Sequence, residues 1–104
     1  MRKARININS EKLHVSSEVL RALAHPLRMK ILEFIDKHET INVNKIYNTL
    51  KLEQSITSQH LRILRLAGIV ITTREGKFIH YSIDYLKIQD VLKAVDAFLV
   101  VEKH

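Results

Sequence analysis

Apolar residues recur at helical spacing along much of the chain, and each break in that spacing marks a change of element. Val19, Leu20 and Leu23 predict a first helix from about Ser10 or Ser16 to Ala24. His25-Pro26 interrupts it, because proline disfavours helical geometry in the residue before it yet fits the first position of a new helix. A second helix follows to about Lys37, with Leu27, Ile31, Leu32, Phe34 and Ile35 toward the core. Thr40 to Val43 reads as a short link or strand, Asn44 to Leu50 as a short helix burying Ile46 and Leu50, and Lys51 to Gln54 as a tight turn. Met1 to Asn9, which carries Arg2, Lys3 and Arg5, reads as a frayed or strand-like arm.

The segment 54–66 is the most informative. Wound at about 100° per residue, it puts Ser55, Ser58, Gln59, Arg62 and Arg65 on one face and Thr57, Leu61 and Leu64 on the opposite one, with no acidic residue between them. Glu53 is an indifferent N-cap, so the helix starts at Gln54 or at Ser55. Gly68 can take the left-handed conformation that ends a helix. Beyond it, Ile69 to Arg74 and Lys77 to Ile83 are rich in β-branched and aromatic residues around Glu75-Gly76, which predicts a hairpin with Arg74 and Lys77 at its tip. The predicted order is helix, helix, short strand, helix, helix, hairpin, helix. This is a mainly α winged helix-turn-helix with a β-hairpin wing at 73–78. A helix face of hydroxyls, an amide and guanidiniums suits the major groove, where Arg and Gln can bond base edges and Ser can bond bases or phosphates.

A last helix is predicted from about Tyr85 to Lys103. Ile88, Val91, Leu92, Val95, Phe98 and Leu99 form one apolar stripe, and Ala94, Ala97 and Val101 add a second beside it. One stripe suffices for packing within a chain of this size. Two predict a partner helix, and a second copy of the chain is the simplest partner.

Composition narrows the classes further. The 104 residues suit one domain, 1–104, with one modest core. With 17 Lys and Arg against 11 Asp and Glu, the net charge of +6 favours a polyanionic partner. The absence of cysteine excludes disulfides, thiol redox sensing and thiolate metal ligation. No apolar run approaches the roughly 20 residues that span a bilayer, and no signal-peptide stretch is evident, so a soluble cytoplasmic protein is expected. Nothing marks an enzyme: there is no Gly-rich phosphate loop, no Cys nucleophile and no Ser with a motif-supported His and acid.

Four segments carry a resemblance that covers nearly the whole chain. They are Leu20-Arg21-Ala22-Leu23-Ala24-His25-Pro26-Leu27-Arg28-Met29-Lys30-Ile31-Leu32, Gln54-Ser55-Ile56-Thr57-Ser58-Gln59-His60-Leu61, Leu64-Arg65-Leu66-Ala67-Gly68-Ile69-Val70 and Arg74-Glu75-Gly76-Lys77. In order and spacing the sequence resembles the ArsR-type winged-helix repressors of bacteria. The resemblance implies a homodimer, paired through its first and last helices, that represses promoters by binding inverted repeats in double-stranded DNA. Carried over, it places Gln54, Ser55, Ser58 and Gln59 near bases or neighbouring phosphates, and Arg74 and Lys77 at the wing. Leu20, Leu92, Val95, Phe98 and Leu99 fall at the implied dimer interface. Thr57 stands where the family has an apolar β-branched residue and is assigned to packing. His60, similar to the family's His before Leu, lies at the edge of the core side and has either a structural or a DNA role. Leu66, at the helix edge, is expected to pack against the hairpin.

Many members of that family sense metals, and this sequence departs from them. The positions of their Cys-x-Cys pair hold Asn42 and Asn44, and the ligand positions of their last helix hold Tyr85, Lys87, Phe98 and Val101. No two of the six His share helical spacing, so no metal or other cofactor is expected. Two alternatives stay open: a non-standard site such as His14 with Glu102 and His104, and a winged helix used for protein contact, for which Ile56, Ile63 and Leu66 leave room.

Overall fold

The computed structural model describes residues 10–99, and of residues 10–13, 15, 16 and 94–99 the backbone only. The order is α1 (Ser10–Leu23), α2 (Pro26–His38), β1 (Thr40–Asn42), α3 (Val43–Leu50), α4 (Gln54–Leu66), β2 (Val70–Glu75), β3 (Phe78–Ile83) and α5 (Tyr85–Leu99). It is the predicted order, with α3 starting one residue early. The arm at residues 1–9 and the expected extension of the last helix to Lys103 lie outside the described residues, as do His104, Glu102 and Val101.

Pro26 starts α2 where its missing N–H costs nothing, and His25 is extended before it. The His25 ring takes the capping role usually played by a small polar residue: its Nδ1 accepts from the Leu27 N–H at 3.1 Å. The carbonyls of α1's last turn are all used. Leu20 accepts from Ala24 N and Leu23 from His25 N, each at 2.8 Å. Ala22 accepts from Arg28 Nε at 2.6 Å, and Arg21 from another nitrogen of the same guanidinium at 3.3 Å. Helix ends leave four such carbonyls without partners. Arg28 supplies two of the missing donors, and its cation also complements the negative end of the helix dipole.

The sheet is antiparallel, with β3 between β1 and β2. Thr40 pairs with Ser82, and the hairpin runs in register from Val70 opposite Ile83 to Glu75 opposite Phe78. The core joins helices and sheet through Val19, Ala22, Ile31, Leu32, Ile35, Ile41, Ile46, Leu61, Leu64, Ile69, Val70, Ile83 and Val91. α1 packs along α5. At the start of α5, Asp84 accepts from Lys87 N, and the Tyr85 hydroxyl donates to the Asp36 carboxylate. No helix among the described residues is long and apolar enough to cross a membrane.

Candidate nucleic-acid interface

Two short connections aim α4. Asn42 Oδ1 caps α3 by accepting from Lys45 N at 2.9 Å. Lys51 then ends α3 in the left-handed region, φ 56 and ψ 48, while Leu52 N bonds back to Tyr47 O at 2.9 Å. The chain thus reverses within Lys51-Leu52-Glu53, and α3 and α4 become a helix-turn-helix. At the other end, Gly68 N donates to Arg65 O and Ile69 N to Leu64 O, both at 3.0 Å. With Gly68 at φ 77, this is a Schellman stop. The C-terminal end of α4 is therefore closed, and Ile69 turns straight into the core.

Between these ends the two faces of α4 separate as the spacing predicts. Thr57, Leu61 and Leu64 have no exposed surface at all. The Thr57 hydroxyl needs a partner there and donates to Glu53 O at 2.9 Å, while Glu53 itself makes no side-chain cap. Gln54, Ser55, Ser58, Gln59, Arg62 and Arg65 are all exposed. Neither Arg62 nor Arg65 forms an ion pair among the described residues. The outward face thus offers hydroxyl, amide and guanidinium groups that are not committed elsewhere.

The wing closes through Gly76-Lys77 with a positive φ of 62 at Gly76 alone, the glycine-first pattern of a type II′ turn. Arg74 and Lys77 are exposed at this tip. Arg74 Nε donates to Gly76 O at 3.1 Å, and Lys77 Nζ stands 5.8 Å from the centre of the Phe78 ring. Each keeps its charge toward solvent.

One expectation is overturned. Leu66 does not pack against the hairpin but is 72% exposed. It lies with Ile63, Ala67, Ala22, Glu18, Arg21 and Arg28 along a shallow cleft between α4 and the end of α1. The Schellman stop explains this, because the chain crosses to the hairpin on the Leu64 and Ile69 side and leaves Leu66 on the other.

His60 occupies the same corner and is half-buried. Its ring lies 4.7 Å from that of His25, and its Nδ1 is 3.5 Å from a terminal nitrogen of Arg28. Burial, then His25, then Arg28 hold the imidazole below its usual pKa of 6.5. Asn42 and Asn44, where the family resemblance would place a Cys-x-Cys pair, have other uses here: Asn42 caps α3, and Asn44 accepts from the Tyr47 hydroxyl at 3.3 Å. No three His, Asp or Glu side chains among the described residues converge on a metal-sized site. On the dimer side, Leu20 and Leu92 are exposed, Leu92 by 56%. The side chains of Val95, Phe98 and Leu99 lie outside the described residues.

Sequence reasoning missed the joint between Arg28 and His60, since nothing in the spacing brings residues 32 apart together. The only trace was His25-Pro26, which announced a sharp corner but not what fills it.

The pattern of the bacterial regulatory protein arsR family matches residues 25–72. The transcriptional repressor PagR of Bacillus anthracis is 38% identical over 84 residues, which cover 81% of this chain and 84% of PagR. The crystal structure of that protein is similar with a TM-score of 0.71 and 37% identity, over 84% of this chain and 99% of that one. NolR from Sinorhizobium fredii gives a TM-score of 0.69 with 31% identity, over 89% and 95% of the two chains. Family, relatives and winged-helix geometry coincide, and this chain belongs to the ArsR family of DNA-binding transcriptional regulators, which are not enzymes.

Proposed function

We propose that the chain is a repressor that acts as a homodimer on an inverted-repeat operator in the cytoplasm, inserting α4 of each copy into a major groove. The observation that carries this reading is the outward face of α4. Its groups are exposed and free of carboxylates, while the opposite face is sealed into the core, so the helix can enter a groove without loss of packing. Gln54, Ser55, Ser58 and Gln59 would read base edges or adjacent phosphates. Arg62, Arg65, Lys45 and the wing cations Arg74 and Lys77 would neutralise backbone charge. PagR is named a repressor, and its identity to this chain supports the same direction of regulation.

The dimer reading rests on α1 and α5. They pack side by side and present Leu20 and Leu92 to solvent, next to the stripe that the sequence continues through Val95, Phe98 and Leu99. A two-fold pairing there would set two α4 helices one helical turn of DNA apart, about 34 Å, on one side of the duplex.

Selection of bound duplexes from a random pool, with and without a metal chelator, tests both parts. The reading expects the same inverted repeat in both conditions. Absence of any enriched sequence, or enrichment of a single unrepeated site, would contradict it. Sedimentation of Leu92→Glu should show monomer where the parent shows dimer, because an unpaired carboxylate is costly to bury in an apolar interface.

A further inference from the structure

Arg28 has more bonds than a helix cap requires. Two guanidinium nitrogens satisfy the Ala22 and Arg21 carbonyls at the end of α1, and a third reaches His60 on α4. Guanidinium is only ever a donor, so a bond across this 3.5 Å separation requires the bare Nδ1 of His60 to face it, with the ring proton on Nε2. The other flank of that ring meets His25, whose own Nδ1 is occupied by the Leu27 N–H at the start of α2. One planar cation therefore ties together α1, α2 and α4. Its fork holds angle as well as distance, which a lysine could not do. Among the described residues, the other fully buried side chains of α4 are Thr57, Leu61 and Leu64, and none of them makes a hydrogen bond to another helix.

We propose that Arg28 and His60 form a positioning joint that fixes the attitude of α4 relative to α1, and through it the half-site separation at which two copies bind. The inference rests on the dimer reading above. α1 belongs to the helix pair assigned to dimerisation, and α4 belongs to the DNA. A tilt between them is carried to both ends of the dimer, and a change of one base pair moves a half-site by about 3.4 Å and turns it by about 34°. Neither Arg28 nor His60 lies on the outward face of α4, so the joint acts on where the reading face is held and not on what it reads.

The test compares the parent with Arg28→Met, His60→Leu and His60→Asn. Arg28→Met removes all three bonds and keeps the aliphatic stem. His60→Leu removes the acceptor together with the ring that meets His25, and His60→Asn, which also lacks the ring, returns an acceptor oxygen near the position of Nδ1. Affinity is measured on the selected inverted repeat, on repeats lengthened or shortened by one and two base pairs, and on a single half-site. The parent should lose roughly tenfold per base pair of misplacement, and His60→Leu and Arg28→Met should flatten this to about threefold or less. Half-site affinity should change less than about twofold, and His60→Asn should keep the parent's preference. The proposal is overturned if His60→Leu keeps the parent's spacing preference, if it weakens half-site and full-site binding equally, or if His60→Asn matches His60→Leu. A parent with no preference for inverted repeats would instead refute the dimer reading. The joint is then decided without DNA by the nitrogen NMR signals of His60, which should show the Nε2–H tautomer and a titration midpoint that rises in Arg28→Met. An Nδ1–H tautomer would overturn the joint regardless of any DNA result.

Discussion

At the corner of α1, α2 and α4, Arg28 sets its guanidinium on three acceptors and the rings of His25 and His60 meet, whereas among the described residues Arg74 at the wing tip has one backbone bond and Lys77 stands over the face of Phe78. Both regions are cationic, but they spend that charge differently. The corner commits it internally, where bonds to helix-end carbonyls fix geometry. The wing leaves it to solvent, where on the proposed reading it would meet phosphate without fixing the attitude of α4. If the proposed joint and footprint hold, position and affinity belong to separate parts of the chain, and substitutions should separate them.

The largest effect should come from the sealed side of α4, the frame that both regions share. Leu61→Ala removes a side chain with no exposure and should cost about 2–5 kcal/mol in urea denaturation, while Arg62→Ala, one residue along, should change stability by less than about 0.5 kcal/mol. Similar losses for both would mean that α4 does not divide into a core face and a free face.

Next is the contrast between corner and wing. Arg28→Met strips donors from two helix-end carbonyls and should cost about 1–3 kcal/mol. Arg74→Ala with Lys77→Ala should leave denaturation unchanged but make the slope of log K against log salt shallower by about 2–4 units for the dimer, from roughly −4 to −7 in the parent. A wing variant with an unchanged slope, or a corner variant of parental stability, would abolish the distinction drawn here.

The smallest of these effects is a pH dependence. The folded state holds His60 below its usual pKa of 6.5, so as the pH falls below about 6.5 the unfolded chain takes up the proton first and stability drops. Above that range both states are neutral at His60 and this contribution is flat. The difference between parent and His60→Asn in denaturation at pH 5 and pH 8 isolates it from the other histidines. A difference that does not change with pH would show that the ring is not held neutral by its surroundings.

Much of this architecture is legible in the sequence. Alternating faces on residues 54–66 predicted which side of α4 is sealed, and Pro26, Gly68 and Gly76 marked three of the turns because each has a backbone requirement tied to its residue type. What escaped were features without such a signature. Lys51 and Glu39 end α3 and α2 at positive φ, where their residue types favour no such geometry. Leu66 looked like packing and is bare, because which way a chain leaves a helix depends on hydrogen bonds that periodicity does not encode. The contact of Arg28 with His60 depends on how α1, α2 and α4 meet, and no local pattern reports it.

The central question is whether the outward face of α4 reads sequence or merely rests on DNA. Affinities of the parent and of Ser58→Ala with Gln59→Ala, on the selected operator and on a scrambled duplex of equal length and salt, decide this directly. The double variant should lose about 1–3 kcal/mol of discrimination per lost base contact while its affinity for scrambled DNA stays that of the parent. Equal weakening on both duplexes would contradict the account, since it would mean these residues only hold the protein to the backbone.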